Sequence, residues 1–488
     1  MGKMTFRELV SLLSIFCLLC IGCNGSGDDE NKNTANDAGG DSDTDTDGDA
    51  DTDTDADTDS DTDSDGDAGA GDAGSNNEIN GFIETIDGID VLWVWGTREE
   101  MGYAEGALLC ERVADFGEKY LLEFALSFAG LTYPVAKTLV QTSYKLPADD
   151  EAQLKALIQG LKDHCAPEDL IIENDSLPNG SKEIAYVDLV MAHALADWTG
   201  CSSLSVWGGA SAVDGTIHAR NLDFLLDPAN SFITEHLVKV MMSTDEGGAM
   251  YASVGVPGIV GCISCFTSEG TGLTMHNVAG LPSSSLLTGN NVPRMLAARA
   301  ALVATAGVTD KIAAAEEVLE TSPQQVGNNL HMSMHCSNSD ADCIGGAVFE
   351  YDGKANHADG RVTVRRPGDV TDGLEDVEGV VCTNHYMKRT NPGDDLSAYP
   401  RYEALVKGVG DAAAADGLTI EQSLALMDET SLLNFGVPTV HTTIMDTESM
   451  TLRVYVPTPE EILEGKEAPV SKPSVLDLND LFSRFSKM

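Results

Sequence analysis

The apolar positions divide the chain into stretches of different character. Leu9 to Ile21 is a short, almost unbroken apolar run behind Lys3 and Arg7. It is shorter than a comfortable spanning helix. From about Asn24 to Asn77 apolar periodicity vanishes. From 79 onward the pattern is that of a folded body. Phe82–Ile86 and Val91–Trp95 read as strands. Met101 to about Leu131, Val135–Leu146 and Ala152–Lys162 read as helices. Ile184–Trp198 predicts a further apolar helix, stopped at Thr199-Gly200, where glycine suits a helix end.

The character changes at Cys201. Leu204–Trp207, Ile217–Ala219, Val238–Met242 and Met250–Val254 are short β-type runs, and Asp214-Gly215 is a hairpin turn signal. Pro293–Ala306 and Thr309–Glu320 predict helices. Strands resume at Gly346–Tyr351, Val362–Val364, Gly379–Thr383, Thr439–Asp446 and Thr451–Tyr455. Strands, helices and strands again predict stacked layers with sheets inside and helices outside. No internal repeat is visible in this body.

Charge changes the picture upstream. Asp41 to Asp67 alternates Asp with Thr, Ser, Ala or Gly. Such a segment cannot bury enough surface to offset chain entropy, and like charges at every second position extend it. Residues 24–78 are therefore expected to be a disordered Asp-rich tether, carrying about a third of the net charge of −50. Asp43, Asp45, Asp47 and Gly48 match the start of a calcium loop, but the twelfth position is Thr54 instead of a bidentate Glu. A solvated spacer fits better, with weak, diffuse calcium binding as a further expectation. The body is acidic too, which argues against nucleic acid as a partner.

Ahead of the tether, Cys20-Ile21-Gly22-Cys23 resembles the lipobox of bacterial lipoproteins, with Cys20 where Leu is commoner. The resemblance implies a signal peptide over 1–23, lipidation of Cys23, export, and anchorage to a bacterial membrane at the outer membrane or cell surface. An exported chain can hold disulfides. Cys336 and Cys343 flank a polar loop and are expected to pair. Cys262-Ile-Ser-Cys265 has redox spacing but lies in an apolar, Gly-rich stretch, where a buried or bridged role is expected. No zinc-type pairing of cysteines and histidines occurs, so neither metal nor cofactor is expected.

Chemistry concentrates between Gly200 and Phe224. A strand starting at Cys201, turning at Asp214-Gly215 and returning brings Arg220 and Asp223 back beside Cys201. Arginine favours a thiolate and binds carboxylates; aspartate holds an ammonium or accepts a proton. On the residues alone, a structural Arg–Asp pair on a hairpin with a buried cysteine fits better.

The order of motifs adds a resemblance. Cys201-Ser-Ser, Trp207-Gly-Gly-Ala, Asp214-Gly and His218-Ala-Arg-Asn-Leu-Asp-Phe resemble the start of the mature chain in cysteine N-terminal-nucleophile (Ntn) hydrolases, above all the peptidase C45 family of autoproteolytic acyltransferases and hydrolases. Choloylglycine hydrolases and acid ceramidase-like amidases are similar at a greater distance. Ser268-Glu-Gly-Thr-Gly-Leu-Thr-Met-His-Asn277, Thr383-Asn384-His385-Tyr386, Ser397-Ala-Tyr-Pro-Arg401-Tyr402 and the upstream Met101-Gly-Tyr-Ala-Glu-Gly continue it. Ser268 departs from the family's usual Asn, and the interval from Cys201 to Arg220 is longer than in the relatives. The lipobox and tether lie outside the family pattern.

The resemblance implies an α+β fold, a four-layer αββα sandwich. A helix-rich segment 79–200 would precede a catalytic segment 201–488 that bears the sheets. Cys201 would attack the Gly200 carbonyl, sever the chain there, and then use its new α-amine as base. Asp223 would orient that amine, Arg220 would position the sulfur, and Asn277 and Asn384 would form the oxyanion hole. Arg401 and His385 would lie at the periphery. The substrate implied is a small acyl amide or thioester, and the partners expected are that substrate and, through the lipobox, a membrane. Two other readings stay open: an uncleaved thiol amidase pairing Cys201 with His385 or His276, and an inactive surface-binding protein of this fold.

Overall fold

The computed structural model describes residues 78–485, apart from 127–130, 176, 178, 196–199, 224–238, 245–247, 279–288, 325–326, 353–359, 391–397, 433–438, 459, 462–463 and 465. Cys23, the signal segment 1–23 and the tether with its calcium-like stretch lie outside the described residues. Residues 79–488 belong to one compact unit.

β1 (Gly81–Ile86) and β2 (Ile89–Val94) form a hairpin. Thr97 and Glu100 close a capping box on α1 (Arg98–Asp115), which runs on into a π-helical segment over Phe116–Ala125. α2 (Tyr133–Ser143) and α3 (Ala148–His164) follow, then the short pair β3 (Ile171–Glu173) and β4 (Ser181–Glu183), then α4 (Tyr186–Leu195). α1 and α3 lie backbone against backbone: a Cβ on Gly106 would collide with the carbonyl oxygen of Leu157. That contact accounts for glycine in the 101–106 motif.

The next strands are β5 (Gly200–Val206), β6 (Ile217–Asp223), β7 (Lys239–Thr244), β8 (Met250–Gly255), β9 (Ser264–Thr267) and β10 (Gly272–Val278). α5 (Arg294–Val303) and α6 (Lys311–Thr321) lead to β11 (Gly327–Ser333), β12 (Gly346–Tyr351), β13 (Val362–Arg365) and β14 (Gly379–Cys382). α7 (Ala398–Ala413), α8 (Ile420–Glu429), β15 (Thr439–Asp446), β16 (Thr451–Tyr455), β17 (Pro473–Asp477) and α9 (Leu478–Phe485) complete the order.

One sheet has nine strands in the order β1-β2-β7-β8-β9-β10-β11-β12-β13. The other has six, β14-β5-β6-β15-β16-β17. Strand alternation assigns their faces. Val91 and Trp93 of β2 cluster with Leu452 and Val454 of β16 and Leu476 of β17, between the sheets. Leu92 and Val94, the intervening residues, pack with Met101 and Ala104 of α1 on the outer side. On the six-stranded sheet Leu204, Val206, Ile217 and Ala219 pack beneath Tyr402, Leu405 and Val409 of α7 and Met427 of α8. The architecture is the α+β, four-layer αββα sandwich.

Several local expectations shift. Gly200 does not stop a helix; it opens β5 opposite Asp223. A Cβ there would lie 2.5 Å from Leu432 Cδ1, so a larger residue would require that methyl to shift. The segment upstream of Cys201 is helix-rich but also supplies two strands to the nine-stranded sheet, β2 pairing in parallel with β7. Cys336 pairs with Cys343 as expected, Cys262 bridges Cys265, and Cys110 on α1 bridges Cys165 at the end of α3. Among the described residues Cys201 and Cys382 are buried and not disulfide-bonded. No helix among them is long and apolar enough to cross a membrane.

Candidate active site

The hairpin β5–β6 builds the site. Cys201 has the same strand parity as Ser203 and Ser205, which bond to His331 Nδ1 and Nε2 at 2.6 and 2.9 Å across the gap between the sheets. Cys201 therefore faces the intersheet layer, and it is fully buried. Its register partner is Leu222, and Ser203 lies opposite Arg220. Arg220 shares that face, so its long side chain reaches back along the strand. Its Nη2 donates to Cys201 Sγ at 3.2 Å and to the Met275 carbonyl at 3.1 Å, and its Nη1 to His441 Nε2 at 2.9 Å.

Asp223 lies three residues on and points to the opposite face, beneath α7. There its Oδ2 accepts from Arg401 Nη1 at 3.2 Å and its Oδ1 from the Thr439 hydroxyl at 2.6 Å. Burial pushes the Asp223 carboxyl up, while Arg401, the Thr439 hydroxyl and Arg220 pull against it.

The main chain of Cys201 is held by side chains. β14 ends at Cys382, paired with Ser203. Two residues further on, Asn384 stands where a ladder partner of Cys201 would be. Its Oδ1 accepts the Cys201 N–H at 2.7 Å and Arg401 Nη2 at 2.7 Å. Arg401 Nη1 also donates to the Cys201 carbonyl at 3.0 Å. Two donors at Oδ1 fix the amide orientation, and Nδ2 donates to the Asn277 carbonyl at 2.6 Å. The Asn277 side chain is oriented in turn by Arg294, whose Nη1 donates to Oδ1 at 3.0 Å.

The structure thus gathers Cys201, Arg220, Asp223, Asn384 and Arg401 into one buried cluster, with the half-buried Asn277 at its margin. Arg401 stands inside it, joined to Cys201, Asp223 and Asn384, whereas the sequence pattern put it at the edge. On the Cys201 nitrogen the structure places Asn384, and Asp223 connects to Cys201 through Arg401. His385 turns away: its ring nitrogens face Thr383 Oγ1 at 2.8 Å and Met387 Sδ at 3.1 Å, and its ring lies 4.2 Å from that of Tyr399. His276 lies between the sheets, 6.3 Å from the His331 ring, and neither of its nitrogens bonds to Cys201.

Four supporting residues escaped sequence reading. Arg294 orients Asn277, Thr439 holds Asp223, and His441 meets Arg220. Asn329 of β11 donates to the carbonyls of both Thr383 and His385, at 3.0 and 2.8 Å, so it clamps the chain on either side of Asn384. None belongs to a recognisable motif, and only the sheet registers bring them together. Among the described residues no group of three His, Cys, Asp or Glu side chains is arranged to hold a metal ion.

No protein-family model matches the chain, and no curated protein matches it. Solved structures similar to it include an N-acylethanolamine-hydrolyzing acid amidase ortholog from Caenorhabditis elegans. That chain is 14% identical at a TM-score of 0.36, over 51% of this chain and 93% of its own. A mutant of conjugated bile acid hydrolase from Clostridium perfringens is 12% identical at 0.33, over 57% and 93%. Penicillin V acylase from Agrobacterium tumefaciens is 13% identical at 0.31, over 52% and 83%.

Proposed function

We propose that this chain is a cysteine Ntn hydrolase of the peptidase C45 type. It would cut its own Gly200–Cys201 bond and then hydrolyse a small acyl amide through a Cys201 thioester. One observation carries the reading: the sulfur and the nitrogen of the same buried residue are each held by a dedicated side chain, Sγ by Arg220 and N by Asn384. A structural cysteine needs neither. The order of the sequence motifs around these residues supports the same reading.

In the first step the Cys201 sulfur attacks the Gly200 carbonyl carbon. The C–N bond to Cys201 breaks, the nitrogen takes up the thiol proton, and a thioester links Gly200 to Sγ. Water hydrolyses that thioester, releasing the Gly200 carboxylate and restoring the thiol. The freed α-amine has a reference pKa of about 7.7–8.0, poised near neutrality. Asn384 Oδ1 accepts one of its protons and so aims its lone pair. The amine takes the thiol proton and later delivers it to the leaving nitrogen of the substrate amide. Arg220 donates to the sulfur as charge builds there. Asn384 Nδ2 and the Asn277 amide serve the oxyanion. Arg401 ties the carbonyl of Cys201 to Asp223, keeping the residue in place after the chain in front of it is released.

Hydrolysis is favoured over acyl-CoA-dependent transfer because the lipobox-like segment and acidic tether fit an exported enzyme, and acyl-CoA is scarce outside the cytoplasm. Anchorage through Cys23 at a bacterial outer membrane or cell surface belongs to the same proposal.

Denaturing electrophoresis with N-terminal sequencing tests it. The expected result is a fragment beginning Cys201-Ser202-Ser203, and a single intact chain for Cys201→Ala. A wild-type chain that stays intact and is fully active on acyl amides overturns it.

A further inference from the structure

The geometry points to His441 as the positioning residue that sets the Arg220 guanidinium against the Cys201 sulfur, placed there by a β-bulge at Val440. The inference rests on the proposed role of Cys201 and adds to it a residue that no sequence motif marks.

The register of β15 against β6 supplies the first observation. Thr439 pairs with Asp223, but His441 pairs with Leu222, Thr442 with Asn221 and Thr443 with Arg220, leaving Val440 as an extra residue. In an unbroken strand Thr439 and His441 would share a face. The bulge separates them. Thr439 takes the outer face and bonds to Asp223; His441 takes the intersheet face and bonds to Arg220. One extra residue thus lets a single strand end serve both charged members of the site, which point in opposite directions.

The second observation is the polarity of the contact. A guanidinium has donors only, so His441 Nε2 must accept and the ring proton must sit on Nδ1. His441 is 1% exposed, and burial and the Arg220 charge hold it well below its ordinary pKa, so it stays neutral and able to accept. The Met275 carbonyl is the other fixed acceptor. Two acceptors define the guanidinium plane, and the remaining geometry delivers Nη2 to Sγ. Ser264 Oγ, on β9, lies 3.4 Å from the same Nε2 and is a weaker contact. The titratable groups around the guanidinium are Cys201 of β5, Asp223 and His218 of β6, His276 of β10 and His441 of β15. His441 is the one among them that accepts from Nη1.

Two substitutions separate acceptor position from mere packing. Glutamine places its amide oxygen near the position of Nε2; asparagine stops near Nδ1. The readouts need no substrate: the rate of cleavage at Gly200–Cys201, and the pH dependence of iodoacetamide labelling of Cys201, mapped by peptide mass spectrometry. His441→Gln is expected to stay close to wild type. His441→Asn is expected to cleave about 10- to 100-fold more slowly, the cost of a misplaced reacting group, and to label only at higher pH. Wild-type rates in His441→Asn, or a glutamine variant no better than the asparagine one, overturn the inference. Nitrogen NMR of the unaltered protein gives a check independent of folding. A neutral ring protonated at Nδ1 between about pH 5 and 8 is expected, and an Nε2–H tautomer or an imidazolium in that range overturns it. A wild-type chain that never cleaves refutes the proposed function instead, while the labelling and NMR results still judge His441.

Discussion

Asn384 faces Cys201 at a register position where β14 has already ended, and its side chain makes the bond that a strand would have made with its backbone. The distance from Oδ1 to the Cys201 nitrogen is 2.7 Å, and Asn329 pins the peptides on either side of Asn384. A ladder carbonyl would hold the nitrogen only as part of a sheet. A side-chain amide goes on holding it when the peptide bond in front is gone.

Asn384→Ala removes that acceptor and leaves the Cys201 N–H, one Arg401 donor and the Asn277 carbonyl without it. Burying unpaired polar groups costs about 1–3 kcal/mol each. Self-cleavage is expected to fall about 10²- to 10³-fold, the loss typical of a removed oxyanion donor. Time-resolved electrophoresis of freshly made chain measures the rate, and urea unfolding measures the stability. Cleavage at the wild-type rate would mean that Asn384 acts on neither the nitrogen nor the oxyanion.

Arg401 and Asp223 should behave as a coupled pair. Both are buried, 3.2 Å apart, and Arg401 also serves Cys201 and Asn384. Arg401→Met strands the Asp223 carboxylate and is expected to cost about 3–5 kcal/mol. Adding Asp223→Asn should return part of that stability without returning cleavage. Arg401→Lys should not rescue, because an ammonium cannot span three acceptors as the planar fork does. Urea unfolding of the four chains of the cycle gives the coupling; additive effects would show that the pair is not an interacting unit.

Legibility in the sequence followed the kind of burial. The β5–β6 hairpin was readable from Asp214-Gly215 and from the apolar Leu204, Val206, Ile217 and Ala219, which face α7 and α8. β11 was not. Its residues Asn329, His331 and Ser333 alternate along the intersheet face and are polar yet buried, because the layer beside the site is itself polar. Hydrophobic periodicity is silent on such a strand. α7 was missed because Gly408 and Gly410 weaken its helical signal. In the fold Gly408 admits Leu426 of α8, where a Cβ would collide. The charged core of the site was legible as motifs; Arg294, Asn329 and His441 were not, since nothing but tertiary register ties them to Cys201.

Gly200 makes a prediction about space. A Cβ there would lie 2.5 Å from Leu432 Cδ1 and 3.4 Å from Asp223 Cβ. Gly200→Ala is expected to strain the segment by about 1–3 kcal/mol, the usual cost of overpacking, and to slow cleavage. Leu432→Ala in the same chain should restore the rate by emptying the contact. If the double variant cleaves no faster than Gly200→Ala alone, the demand for glycine has another origin than Leu432.

The intersheet histidines make the protein's stability depend on pH. His218, His276, His331 and His441 are all buried. Burial, reinforced by Arg220 beside it, pushes His218 down to about 3. Burial first, then nearby positive charge, holds the other three well below the usual imidazole range. In the unfolded chain each takes a proton near pH 6.5. Between that pH and the depressed folded value, the unfolded state binds protons that the folded state refuses. Stability is therefore flat above about pH 7 and falls as the pH drops, by up to about 1.4 kcal/mol per pH unit for each histidine. Asp223 and Glu467, raised by burial, act in the opposite sense, so the test is a comparison between variants. His218→Gln can still bond to Thr274 from the Nε2 position but cannot titrate. Measured by urea unfolding at a series of pH values from about 7 to 4.5, the variant should lose less stability per unit of pH than wild type, by about one histidine's share. Parallel curves would mean that His218 is protonated in the fold, and that the polar layer behind Cys201 carries charge.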